Sequence, residues 1–173
     1  NSRLTAKLAP ETAKARAKAK RTGQPARVFA DFEYRTRRSW SAKRRVIGKL
    51  QQHLGSLSDK TVALLGIAFK PNTDDVREAP SLVLAGRLVA EGSHVRAWDP
   101  IARMDGLDGV HQVESVDAAL AGADAVVLVT EWPELADIDW AQARSSAGSA
   151  QPVFVDGRNM LDPDRMRDAG WVY

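Results

Sequence analysis

The sequence predicts a doubly wound α/β domain, with helices on both faces of a parallel sheet, and three observations predict it. First, the runs at 61–66 (TVALLG), 124–130 (DAVVLVT) and 152–156 (PVFVD) are short, continuous and rich in β-branched and aliphatic residues. Continuous apolar runs of that length mark strands buried on both faces, as in parallel sheets. Second, segments with helical spacing lie between them, opened by proline or polar residues and closed by glycine. Third, the alternation βαβαβαβαβ is the order that builds a three-layer, Rossmann-like sandwich.

The elements follow in chain order. Residues 1–38 are rich in Ala, Lys and Arg, and the stretch AKARAKAK at 13–20 has helix propensity but no apolar stripe to bury. Val28, Phe29, Phe32 and Tyr34 form a small apolar island that cannot make a core alone. This basic arm is expected to be either mobile or ordered by a partner. From 39 to 57, Trp40, Val46, Ile47, Leu50, Leu54 and Leu57 recur at three- and four-residue spacing and predict an amphipathic helix, with Gly55 and Ser58 closing it. Its apolar face needs either a second chain or the sheet domain to cover it.

The domain proper is expected over 59–173. A strand at 61–66 leads to a polar loop at 67–78, then a helix at 80–91 with Leu82, Val83, Ala85, Leu88 and Val89 toward the sheet. Gly92 fits its C-terminal cap, HVRAWD at 94–99 is the second strand, and Pro100 ends it. Residues 101–112 carry no clear period. A short helix at 116–120, the strand at 124–130, a short helix after Pro133, a polar small-residue stretch at 141–150, the strand at 152–156, a helix at 163–169 and a terminal strand at 171–173 complete the pattern.

Composition narrows the function. The chain has 25 Lys+Arg against 22 Asp+Glu and no cysteine. Residues 1–58 carry 15 Lys+Arg and 3 Asp+Glu, a net of +12, so the remaining residues carry a net of −9. The half that can build a core is acidic, which argues against a nucleic-acid-binding domain. A basic arm without aromatic platforms does not supply one. The absence of cysteine excludes a disulfide scaffold, a thiolate metal site and a cysteine nucleophile within this sequence. It fits a reducing compartment, and a cytoplasmic location is expected. No apolar run approaches the roughly 18 residues of a membrane span, and the N-terminus does not read as a signal peptide. No metal-ligand spacing occurs, and His53, His94 and His111 are isolated.

In an open parallel sheet, ligands bind outside the carboxyl ends of the strands, near the point where strand order reverses. Three strand ends here are distinctive: GIAFKPNTDDVREAPS at 66–81, TEWPE at 130–134 and DGRNMLD at 156–162. They are expected to converge on one crevice. The first lacks GxGxxG, so a backbone cradle for a dinucleotide pyrophosphate is not indicated. It offers side chains instead: Lys70 and Arg77 as cations, Asn72, Thr73, Asp74 and Asp75 as hydrogen-bonding groups, and Phe69 as an apolar surface. That set suits a nucleotide diphosphate held by side chains.

Each residue also has a plainer reading. Phe69 could cap the core, Asp74 or Asp75 could stabilise the following helix N-terminus, and Arg77 could be a surface ion-pair donor. Arg158, just past a strand end, lies where ligands bind, and Asn159 reads as a turn residue. No nucleophile or general base emerges. The residues alone point to a nucleotide- or phosphate-binding domain and not to a complete catalyst.

These motifs, together with WDP at 98–100, resemble the C-terminal UDP-binding domain of the UDP-glucose/GDP-mannose dehydrogenase family, and TEW with DGRN is most similar to its UDP-glucose-oxidising members. The resemblance covers about 59–173, and the helix at 39–57 is similar to the end of the long helix linking that family's two domains. It implies a parent reaction in which UDP-glucose is oxidised to UDP-glucuronate by two NAD+, with NAD bound by an N-terminal domain and the catalytic cysteine lying outside the matching region.

Carried over by motif, Phe69, Lys70 and Arg158 correspond to substrate-contacting residues, and Arg77 to an arginine reaching the NAD pyrophosphate. Asn72, Thr73, Asp74 and Glu78 fall in supporting positions of the loop. The resemblance assigns this sequence no catalytic residue and no metal. It is expected to be a separated or excised domain, or a truncated or divergent relative, that binds UDP or UDP-glucose without bound NAD and without turnover. Its implied partners are the N-terminal NAD-binding domain and a second copy joined through 39–57. The alternative is a non-catalytic nucleotide-binding or regulatory module derived from the family.

Overall fold

The computed structural model describes residues 45–104 and 106–173. The basic arm at 1–38, the start of the predicted helix and Trp40 lie outside the described residues.

Helix α1 covers 45–54. The strands are β1 (Thr61–Leu65), β2 (His94–Trp98), β3 (Val110–Gln112), β4 (Ala125–Leu128) and β5 (Val153–Asp156). Between them run α2 (Pro80–Ala90), α3 (Val116–Leu120), a 3-10 turn at Pro133–Ala136, α4 (Trp140–Arg144) and, last, α5 (Pro163–Asp168). The five strands are all parallel in the order β3-β2-β1-β4-β5. Right-handed crossovers therefore place α2 on one face and α3 and α4 on the other. The strand order reverses between β1 and β4, and the loops leaving those two strands part to opposite faces.

The central strands are buried as their composition requires. Val62, Ala63, Leu64 and Leu65 of β1 and Ala125, Val126 and Leu128 of β4 have no exposed surface. Their register sets Val62 between Val95 and Ala125, and Leu65 between Trp98 and Leu128. Each fully buried Val or Leu contributes about 1.5–3 kcal/mol relative to an exposed one. From α1, Ile47 and Leu50 join this core, with Val46 and Leu54 packed at its margin. The described part of the amphipathic face is thus covered by the sheet domain of the same chain.

Two elements differ from the sequence reading, and the strand expected at 171–173 is reduced to a single bridge at Val172. β3 lies in the stretch that showed no period; it is three residues long, sits at the sheet edge and is only partly buried, so no alternation could mark it. α4 lies in a stretch read as polar connection. Its signal is Asp139, whose carboxylate accepts the N–H groups of Ala141 and Gln142, both at 3.0 Å. Asp162 caps α5 in the same way ahead of Pro163.

The terminal segment closes the β5 edge. Val172 pairs with Val153 in parallel, and Trp171 stacks edge-on against Phe154 at 5.3 Å, which in turn meets Trp140 at 5.0 Å. The tryptophans at 98, 132, 140 and 171 are all buried and serve packing. No helix among the described residues is long and apolar enough to cross a membrane.

Candidate functional site

The parallel sheet delivers the three distinctive loops to one side, and a buried carboxylate ties their bases together. Asp99, just past β2, is 2% exposed. Its Oδ2 accepts the backbone N–H groups of Ile67 (2.7 Å) and Ala68 (2.9 Å) and the indole N–H of Trp132 (2.9 Å). Its Oδ1 accepts those of Ile101 (3.0 Å) and Ala102 (2.7 Å). One side chain thereby fixes the exit of β1, the exit of β2 and the loop after β4. Thr130 adds a second tie, its hydroxyl donating to the Ala68 carbonyl at 2.6 Å. Ser81 returns the far end of the 66–81 loop to its start by donating to the Ile67 carbonyl.

Gly66 is required where it stands. Its φ is +94°, and a Cβ there would lie 2.4 Å from Cβ of Thr130. The glycine lets the ends of β1 and β4 touch; side chain, not ligand, fills the space beside it.

Above this floor the sequence-predicted residues form a rim. Phe69 is 53% exposed, so it does not cap the core, while its N–H donates to the Asp75 carbonyl at 2.8 Å. Lys70 is exposed and makes no ion pair with any described residue. Asn72 and Glu78 adopt left-handed backbone, with φ of 60° and 58°, which bends the loop back on itself. The Thr73 hydroxyl accepts the N–H of Asp75 at 3.1 Å. Asp74 is exposed.

Neither Asp74 nor Asp75 caps α2, whose N-cap is Ala79 without a side-chain hydrogen bond. Asp75 instead grips Arg77 through two 2.9 Å bonds and also accepts its backbone N–H. Those hydrogen bonds from Arg77 hold the Asp75 carboxyl at about 2, against an ordinary 3.8.

On the other side of the rim, Arg158 pairs with Glu131, its Nη2 donating to Oε1 at 2.5 Å and its Nε lying against Oε2. Burial pushes the Glu131 carboxyl up, but the hydrogen bonds from Arg158 and from its own backbone outweigh this and leave it below its usual value. The loop after β5 is shaped by Asp156, which accepts the N–H of Arg158 (2.7 Å) through Oδ1. Its Oδ2 accepts those of Met160 (2.7 Å) and Leu161 (2.9 Å) and the Tyr173 hydroxyl (2.9 Å). Asn159, with φ of 54°, turns the chain.

Thr130 touches Ala68 and the next residue touches Arg158, so the strand ends carrying Phe69, Lys70 and Arg158 are contiguous. Arg77 stands farther out, its side chain 87% exposed. A cleft of about 290 Å³ between α1 and β5 and one of about 610 Å³ between α4 and α5 are not lined by Phe69, Lys70, Arg77 or Arg158. Among the described residues no group of three or more His, Cys, Asp or Glu side chains is placed to hold a metal ion. Sequence reasoning gave no role to Asp99 or Glu131; the available signals were an aspartate before proline at a strand end and a carboxylate directly after Thr130.

A doubly wound parallel sheet with basic side chains at its strand ends is an architecture that nucleotide-binding domains share. Residues 63–163 match the model of the UDP-glucose/GDP-mannose dehydrogenase family, UDP binding domain, and the chain belongs to that family. It is 39% identical over 164 residues to UDP-glucose 6-dehydrogenase of Pseudomonas aeruginosa, covering 90% of this chain and 35% of that protein. To UDP-glucose 6-dehydrogenase TuaD of Bacillus subtilis it is 37% identical, covering 74% and 28%. Among solved structures, a UDP-glucose dehydrogenase from Pyrobaculum islandicum superposes with a TM-score of 0.66 at 28% identity, covering 90% of this chain and 35% of that one. An NDP-N-acetyl-D-galactosaminuronic acid dehydrogenase from Methanosarcina mazei Go1 gives 0.68 at 28%, covering 86% and 30%. The chain thus spans about a third of the length of these relatives.

Proposed function

We propose that this chain is the nucleotide-sugar-binding domain of an NAD-dependent dehydrogenase that converts UDP-glucose, two NAD+ and water to UDP-glucuronate and two NADH. By itself the chain binds UDP or UDP-glucose without turnover. The observation that carries this reading is the family match over 63–163, whose motifs end β1, β4 and β5 on both sides of the strand-order reversal. Phe69 offers an exposed ring for stacking, Lys70 a mobile positive charge for the diphosphate, and Arg158 fixed N–H donors from the neighbouring strand end. Arg77, at the outer limb of its loop, is suited to reach a second ligand held by another domain.

The NAD itself is assigned to that other domain. This chain does not fit a dinucleotide in the usual manner. Thr130 fills the space beside Gly66, and Asp99, near the place where such folds bind a ribose, is consumed by five N–H groups. With no cysteine in the sequence, the chain supplies no thiol nucleophile either.

Calorimetric titration of UDP and UDP-glucose into wild type, Lys70→Ala and Arg158→Ala tests the reading. Saturable binding by wild type and its loss in both variants are expected; no binding of UDP by wild type overturns it. NADH production from UDP-glucose by the purified chain alone would overturn the second half.

A further inference from the structure

The pairing of Arg158 with Glu131 has a particular geometry. Oε1 of Glu131 accepts from Nη2 and Oε2 lies against Nε, so the carboxylate occupies the forked edge of the guanidinium. That Nε/Nη2 edge is one of the two with which an arginine grips a phosphate through two parallel bonds; the Nη1/Nη2 edge is not met by Glu131. The two side chains are 39% and 36% exposed, and a pair this open to solvent contributes little to folding stability. Asp156, the other carboxylate nearby, is not a substitute partner for the guanidinium: its oxygens are engaged by three backbone N–H groups and the Tyr173 hydroxyl. Lys70 makes no ion pair with any described residue. The two strand-end cations facing the proposed ligand are therefore unequal: Arg158 is held in an ion pair, and Lys70 forms none with a described residue.

We infer that Glu131 is a specificity-determining residue which, by filling one edge of Arg158 and answering its charge, reserves that arginine for a neutral oxygen of the base, ribose or sugar and leaves the diphosphate to Lys70. The inference rests on the reading of this crevice as a nucleotide-sugar site. Its physical content is a difference of affinities. A free polyphosphate approaching Arg158 must displace Glu131 or meet its negative charge, whereas a hydroxyl or carbonyl oxygen meets only the remaining N–H groups. The site then selects against bare anions that carry the diphosphate charge without the nucleoside.

The test is titration of inorganic pyrophosphate and of UDP, at low salt, into wild type, Glu131→Gln and Glu131→Gln combined with Arg158→Ala. Glutamine keeps the shape and removes the charge, and thermal melting checks that each variant is folded. Glu131→Gln is expected to tighten pyrophosphate about tenfold while changing UDP less, so that preference for UDP falls. The added Arg158→Ala abolishes the gain. Unchanged pyrophosphate affinity in Glu131→Gln, with wild type binding UDP, overturns this inference alone. Failure of wild type to bind UDP overturns the proposed function and this inference with it.

Discussion

Asp99 and the pair Asp75 and Glu131 are carboxylates at the same end of one sheet, yet they live in opposite surroundings. Asp99 is sealed at 2% exposure and faces five neutral N–H donors. Asp75 and Glu131 sit in the rim with more than a third of each side chain exposed, and each faces one arginine. The floor uses charge to satisfy backbone, a task in which an unmet donor is costly. On the proposed reading, the rim uses charge to set which cations remain available to a ligand. Stability and recognition should therefore separate by depth within a few residues of chain.

The sharpest way to break that division is Asp99→Asn. The substitution is nearly isosteric, but whichever oxygen becomes NH2 then points a donor at two or three donors. A loss of about 3 kcal/mol or more is expected in urea unfolding. If Asp99→Asn were neutral, the floor would not be the anchor described here.

Gly66→Ala comes next, since it adds both a left-handed backbone penalty and a clash with Thr130. About 2–4 kcal/mol is expected in the same measurement. Tyr173→Phe removes the phenolic proton that Asp156 and the Leu161 carbonyl accept, for about 1 kcal/mol. Burial and Asp156 raise the Tyr173 pKa above its ordinary 10.0. The phenol's contribution is accordingly complete below that value and lost as pH rises through the folded one, so the wild-type advantage over Tyr173→Phe should shrink in strong alkali.

At the rim, Lys70→Ala is expected to change stability by less than about 0.5 kcal/mol while weakening UDP binding about tenfold. Loss of stability without loss of binding would reverse the assignment. The smallest effect is Arg77→Ala, which should return the Asp75 carboxyl from about 2 toward 3.8 in a carbon-13 titration. The sign follows from the lowered value. Asp75 favours the folded chain above about pH 4 and loses that contribution as pH falls toward 2.

What the sequence disclosed follows the same division. The strands of β1, β4 and β5 were legible because full burial on both faces demands unbroken Val, Leu and Ala runs. The rim residues were legible as unusual side chains at strand ends, among them Phe69, Lys70, Arg77 and Arg158. The ties beneath were not: Asp99 meets Ile67 and Trp132 from 32 and 33 residues away, and Glu131 meets Arg158 across 27. No local spacing encodes contacts that exist only after β1, β2, β4 and β5 have assembled. The alternative of an aspartate cap on α2 failed for a different, local reason, because Asp75 had a nearer and charged partner in Arg77.

The bridge from Val172 to Val153 and the Tyr173 hydroxyl on Asp156 also impose an order of events during synthesis. The ribosome delivers β1, β2 and β4 first, and the loop that carries Arg158 receives its last anchor only when residue 173 has emerged. A nascent chain halted at α5 would have the sheet but a loosely held arginine.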